Sequence, residues 1–177
     1  PRCHVSRLAR RAAFASLVLA GLALGTAPAS AGLREARAAL DAGQIDVAMK
    51  EYEAVAGQGM AAGRTGVGRV LLRRRQLEAA MEAFQLAQKM DPSLAEAHWG
   101  QGEVLRRQEK WTEAIALLEK AVVLDRKFPE AQLALGECLV QTKQYDRAIE
   151  TYSAGLKWGP RWAPRFLVGL GAVETAR

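Results

Sequence analysis

Four columns of residues keep one phase with a step of 34: Gly68, Gly102 and Gly136; Leu71, Leu105 and Leu139; Ala80, Ala114 and Ala148; and Phe84, Leu118 and Tyr152. A fixed period of this length marks units of supersecondary structure that bury their apolar faces only by stacking on one another. Within each unit the apolar spacing is helical. In the middle copy AEAHWGQGEVLRRQ makes a first helix and KWTEAIALLEKAVVLD a second, with Trp111, Ile115, Leu118 and Val122 recurring along the second. Gly at the eighth position and Ala at the twentieth have no bulk, so the two helices can approach closely. Large residues at the eleventh and twenty-fourth positions then fill the space beside that contact. This phase turns Ala114 toward its own first helix and Glu113 toward solvent. Asp91-Pro92 and Gly159-Pro160 are expected to end second helices, because Pro cannot continue a helix.

Composition agrees with an all-α fold. Of the 177 residues 50% are hydrophobic, too many for a disordered chain, and two cysteines cannot build a disulfide scaffold. The formal charge of +6 is unevenly placed. Residues 1–31 hold Arg2, Arg7, Arg10 and Arg11 and no acid, so they contribute +4 of it. The basic balance is therefore largely a property of the N-terminus and does not argue for a nucleic-acid partner.

That N-terminus reads as an address. A basic start leads into an apolar run from Ala12 to Leu24 and a small-residue finish, Ala29-Ser30-Ala31. The run has 13 residues, whereas about 20 are needed to span a bilayer. Residues 1–31 are thus expected to be a signal peptide cut before Gly32, giving an exported protein, periplasmic or secreted, with no stable membrane span after cleavage. The alternative is an uncleaved N-terminal membrane anchor made by extending the run through Ala31. No Cys follows the run, which argues against a lipid-anchored protein.

The repeat columns resemble the tetratricopeptide-repeat (TPR) family, whose unit is a helix–turn–helix of 34 residues. Residues 61–94, 95–128 and 129–162 match as full copies, and the first carries Val67, Gly68, Leu71, Ala80, Phe84, Ala87 and Pro92 at family positions. Departures are Gln101 in place of Leu, Gly155 in place of Ala and Arg126 in place of Pro. Residues 33–60 look like a degenerate first copy with Ala36, Ala48 and Tyr52 in place, its second helix broken early by Gly57 and Gly59. Residues 164–177 resemble a first helix without its partner. Phe166, Leu167, Leu170 and Val173 do not read as the polar cap such arrays need, so further chain beyond residue 177 is expected. The resemblance implies a right-handed α-solenoid.

Little in the chain suggests chemistry. His98 and Cys138 stand on apolar helices without the companions of a metal site or a reactive thiol, and packing accounts for both. The run from Gly63 to Gly68 lacks the strand and the Gly-Lys-Ser/Thr ending of a phosphate loop. Glu103 and Glu137 share a repeat position, as any surface residue of a repeat does, which is no argument for acid–base catalysis. We expect no enzyme, no cofactor and no metal.

In the family, certain first-helix positions line a concave groove that binds proteins or peptides. Carried onto this sequence, the resemblance puts Thr65, Arg69, Leu72 and Arg73 there, then Glu96, Trp99, Glu103, Arg106 and Arg107, then Glu130, Leu133, Glu137, Val140 and Gln141. Cations crowd the earlier copies and acids the later ones. That gradient suits an extended ligand whose acidic part meets Arg69, Arg73, Arg106 and Arg107, with Trp99 as an exposed apolar anchor. The Lys/Asn arrangement of repeats that clamp chaperone tails is not reproduced. Two alternatives stay open: a structural module of an envelope complex using its outer face, and the recognition domain of a larger protein truncated in this sequence.

Overall fold

The structure, a computed structural model, describes residues 29–177. Most of the expected signal segment, with Cys3 and His4, lies outside the described residues. Among the described residues there are nine α-helices and no strand. They run as pairs: α1 Ala29–Asp41 with α2 Ile45–Gly57, α3 Ala61–Arg73 with α4 Leu77–Met90, α5 Ala95–Arg107 with α6 Trp111–Leu124, and α7 Pro129–Gln141 with α8 Tyr145–Gly155. A single turn of 3-10 helix, Leu156–Trp158, leads to α9, Ala163–Ala176.

Each helix packs on its neighbours in sequence, and each first helix also touches the first helix of the next pair. Second helices have no such extensive contact with one another. The stack therefore curves with α1, α3, α5, α7 and α9 on its concave side, as an α-solenoid does.

The link inside each pair is the same turn four times. Gly43, Arg75, Glu109 and Lys143 have φ of 76°, 59°, 60° and 60°. The next residue then donates its N–H back to a carbonyl five positions earlier, Gln44 to Ala39 at 2.8 Å and Lys110 to Leu105 at 3.0 Å among them. This is a left-handed cap that satisfies the last carbonyls of the first helix. Two of the links between pairs rest on Asp. Asp91 accepts from the Ser93 amide at 2.9 Å and its hydroxyl at 2.6 Å, and Asp125 accepts from the Lys127 amide at 2.8 Å. With that bond in place, Arg126 can stand where the family has Pro.

The core is organised by the residue at the twenty-fourth position of each repeat. Phe84 lies between two glycines, Gly68 of its own pair and Gly100 of the next, and Tyr152 lies in the same way between Gly136 and Gly169. A methyl group on Gly68 would come within 2.7 Å of the Phe84 ring, and one on Gly169 within 2.6 Å of Tyr152. Leu118 sits on Gly102 at the same 2.7 Å. The small eighth residue thus lies beneath the twenty-fourth side chain, rather than beside it as the sequence suggests. Gly155 is explained alike: the Phe166 ring of α9 occupies the space an alanine methyl would need.

One boundary differs from expectation. The second helix of residues 129–162 stops at Gly155, not at Gly159-Pro160. Its chain tightens into the 3-10 turn and reverses at Gly159, with φ 84°. The terminal helix runs Ala163–Ala176, close to the expected 164–177, with Pro164 in its first turn, where a missing N–H costs nothing. At the other end α2 does stop at Gly57, followed by Gly59 with φ 77°.

Ala114 is fully buried and Glu113 is exposed. The Ala114 carbonyl lies 3.4 Å from where a side chain on Gly102 would begin. Ala114→Leu should overpack this contact and lower stability by about 1–3 kcal/mol in urea melts, whereas Glu113→Leu should change it by less than about 0.5 kcal/mol.

Candidate functional site

The concave face is built from first helices, whose residues three, four and seven apart share one side. It holds two adjoining clefts. The first, about 470 Å³, has walls from α5, α7 and α9: Leu133 and Ala134 form an apolar floor with the edge of Trp99, and Glu130, Glu137 and Arg165 stand at its sides. The second, about 560 Å³, runs toward the links between pairs, with Arg37, Arg69, Glu96, Glu130, Arg161 and Trp162 in its lining.

Two ion-pair networks cross this face. Glu96 gathers Arg69, whose Nε lies 2.6 Å from Oε1, Arg37 at 3.4 Å and the Thr65 hydroxyl at 3.1 Å. The Arg69 Nε–H does not point along that short line, so the pair is a charge contact rather than a hydrogen bond. Glu103 is the centre of the second network. Arg106 donates to it through Nε at 2.7 Å and Nη2 at 2.8 Å, and Arg107 through Nε at 2.8 Å. Arg106 continues to Glu137 at 2.8 Å, and Arg107 reaches the Leu72 carbonyl at 2.9 Å. Three successive repeats are tied by these two arginines.

Several expectations are corrected here. Trp99 is not an exposed anchor. It is only 9% exposed, packed edge-on to Phe84 at 6.4 Å and against Phe128 at 5.6 Å, with the Arg69 guanidinium 4.4 Å over its ring. Its indole fills the joint between pairs, so a ligand meets only its edge. Glu103 is not a surface residue either; it is buried beneath Arg106 and Arg107. Arg69, Arg106 and Arg107 are ion-paired, with Glu96, Glu103 and Glu137 beside them; Arg106 lines the first cleft and Arg69 the second. Leu72 is in the core. Arg73 and Gln141 are exposed but line neither cleft, and Val140 packs on the core.

Of the expected residues, Trp99, Glu103, Arg106, Glu130, Leu133 and Glu137 line the first cleft and Arg69, Glu96 and Glu130 the second. Pro164, Arg165 and Val168 of α9, and Arg161 and Trp162 before it, join the lining without any signal in the repeat pattern. Their helix is out of phase with the others, so the family positions do not reach them.

The titratable groups follow from this burial. Burial pushes the Glu103 carboxyl up, but hydrogen bonds and charge from Arg106 and Arg107 outweigh it and leave the pKa below the usual value. Burial also raises the Glu137 pKa, and its one contact with Arg106, opposed by the nearby Glu103 charge, does not offset that rise. Burial pushes the Cys138 thiol to about 12, so it is no nucleophile at neutral pH. His98 is a buried strut, with Nε2 3.0 Å from the Pro92 carbonyl and Nδ1 3.4 Å from the Gln88 amide. Gln101, in place of Leu, donates to Gln88 at 2.9 Å and completes the same polar seam between α4 and α5. Among the described residues no group of three His, Cys, Asp or Glu is arranged to hold a metal.

Comparison with known proteins agrees with the repeat reading. Two models described as tetratricopeptide repeat match residues 33–95 and 105–167. TTC0263, a thermophilic TPR protein of Thermus thermophilus, superposes with a TM-score of 0.68 at 22% identity, over 97% of this chain and 93% of its own. YrrB, described as a TPR protein with an unusual peptide-binding site, gives 0.59 at 20% identity, over 81% and 75%. The TPR2B domain of yeast Sti1, in a complex with pHsp70, gives 0.61 at 20% identity, over 66% and 98%. No curated protein matches the sequence.

Glu103→Gln removes the charge that Arg106 and Arg107 share, and should cost about 2–3 kcal/mol at pH 7 in urea melts. Because the folded pKa of Glu103 is lowered, this contribution is fully present above the ordinary value of 4.5 and is lost as pH falls through the folded value. The parent and the variant should therefore converge in stability as the pH is lowered past that value.

Proposed function

Since the chain belongs to the tetratricopeptide-repeat family, we propose that it is an exported scaffold that binds an extended polypeptide segment in its concave groove. The observation that carries this reading is the cleft between α5, α7 and α9. Its floor of Leu133 and Ala134 is apolar, its walls carry charge, and its 470 Å³ suits a few side chains of an extended segment. Ion pairs across the first helices fix its shape in advance, which lowers the entropy cost of binding. Neighbours of the same fold support it: YrrB is described by its peptide-binding site, and the Sti1 domain was solved in complex with pHsp70. The function is binding, with no catalytic group assigned to the groove.

Export rests on the N-terminal pattern. Ala29-Ser30-Ala31 opens α1, and a cut before Gly32 leaves in place Ala36, Ala39 and Leu40, the residues through which α1 enters the core. N-terminal sequencing of protein recovered from the exported fraction should read from Gly32. An intact N-terminus retained in membranes would point to the anchored form instead.

A second reading, an assembly module working through its outer face, is favoured by Leu86, Met90 and Val123, all exposed on second helices. Crosslinking in cells separates the two. A photoreactive residue at Leu133 should give a discrete crosslinked species that disappears when Val168→Asp is added. Capture from position 86 alone would transfer the function to the outer face.

A further inference from the structure

We propose that the open side of α9 is a docking face for an amphipathic helix of a partner polypeptide, which lays one large apolar side chain, Leu, Phe or Tyr, on Gly171 and packs beside Leu167 and Leu170. These residues line neither cleft of the groove, so the inference stands apart from the groove reading.

First helices carry two small residues two positions apart, and each is a socket. The earlier one receives a ring from the preceding pair: Tyr52 lies over Gly66, Phe84 over Gly100 and Tyr152 over Gly169, while α7 has the small Ala134 at this position. The later one receives a large side chain from the helix's own partner: Phe84 lies over Gly68, Leu118 over Gly102 and Tyr152 over Gly136. In α9 the earlier socket is filled and the later one is Gly171. Among the described residues nothing lies within 4 Å of where its Cβ would stand. The residues around it belong to a joint that lacks its cover. Leu167 and Leu170 stand four and one positions before Gly171. Their counterparts, His98 and Gln101 before Gly102 and Gln132 and Leu135 before Gly136, are at most 6% exposed, whereas Leu167 is 56% exposed.

The filled sockets specify what fits the open one. Each is covered by a helix with a large residue first, Ala fourth, a large residue fifth and the socket-filling side chain eighth. In α6 these are Trp111, Ala114, Ile115 and Leu118, all in or against the core, and α4 and α8 repeat the spacing from Leu77 and from Tyr145. A glycine at the contact lets such a helix approach closely, and its apolar stripe is the part that docks. Glu174 stands where the other first helices have Leu71, Leu105 and Leu139, and Leu167 where they have Arg64, His98 and Gln132. The apolar strip therefore sits one turn nearer the start of α9. An occupant antiparallel to α9, as in every existing pair, meets it with its eighth residue and the turn that follows. Among the described residues the helices of this pattern are already packed in their own pairs. A second copy of the chain has none to offer, so the occupant is a different polypeptide.

The probe is a labelled peptide of residues 109–125, which carries the α6 pattern, stapled between the exposed positions 116 and 120 to hold it helical. It should bind the full chain saturably, and Leu118→Ala in the peptide should weaken binding at least tenfold. Gly171→Leu in the protein should weaken it as much while raising the melting temperature, since leucine favours helix over glycine. A loss of binding by that variant is then not a loss of fold. Leu133→Asp, in the groove, should change the affinity less than twofold, so this face and the groove are read separately. Binding that ignores Gly171→Leu, or no saturable binding, would overturn the proposal. Self-association of the full chain that Gly171→Leu abolishes would assign the face to a second copy and refute it. So would a Gly171→Cys thiol closed to maleimide in the natural-length protein before any peptide is added, which would give the face to a segment of the same chain.

Discussion

The structure hangs on an aromatic ring held between two residues that have no side chain. Phe84 between Gly68 and Gly100, and Tyr152 between Gly136 and Gly169, set how closely one helix pair can stack on the next. Neither contact has room for a side chain on the glycine: a single methyl at Gly68 would fall within 2.7 Å of Phe84. Close packing of this kind transmits position, because displaced atoms have no void to enter. Tyr52 against Gly66 and Phe166 against Gly155 apply the same device at the two ends of the stack. Where the central residue is Leu118, one flanking position keeps its glycine, Gly102, and the corresponding position of the next pair holds the small, buried Ala134. The rise from pair to pair is therefore fixed by packing before any charge is considered.

Charge then follows from that rise. Glu96 meets Arg69 and Arg37, and Arg106 meets Glu137, because first helices of consecutive pairs sit at a distance their side chains can cross. Glu103 is the costly member, a carboxylate taken almost wholly out of water. Two arginines on the next turn of its own helix compensate it, and one of them also reaches the Leu72 carbonyl of the preceding pair. A buried charge that is fully partnered contributes little net stability but tolerates few alternative arrangements. The concave face is thus cross-braced where it is most charged, with Arg69, Arg106 and Arg107 acting as struts between first helices.

The repeat and its helix pairs were legible because a period of 34 is visible wherever small and large residues must alternate in space. The groove was legible in part. Glu130, Leu133 and Glu137 line it as their helical positions require. What the sequence did not show was which charges find each other. The pattern places Arg106 and Glu137 on the same face, but only the stacking distance reveals that they meet. Trp99 escapes the pattern for the same reason. A face position near the middle of a first helix can point either into the groove or into the joint between pairs, and the neighbouring rings of Phe84 and Phe128 decide. The second glycine column did leave a signal, since Gly66, Gly100 and Ala134 also step by 34, although the terminal Gly169 breaks the phase by one.

That break in phase is itself consequential. In the regular repeats the groove arginines Arg69 and Arg106 each have an acid waiting one pair away, so this part of the array neutralises itself. The chain leaves the register after Gly155: α8 is shortened to 11 residues, a 3-10 turn follows, and Gly159 redirects the backbone. Residues 157–165 then carry three cations and two tryptophans with no acid among them, while Glu130 and Glu137 of α7 share the first cleft with Arg165. Indole faces hold these cations in place without cancelling their charge, as a carboxylate would. The irregular end of the array thus adds exposed cations, Arg161 and Arg165, to the edge of the groove. The same repetition that makes the fold stable ties many of its first-helix charges to one another across the joints.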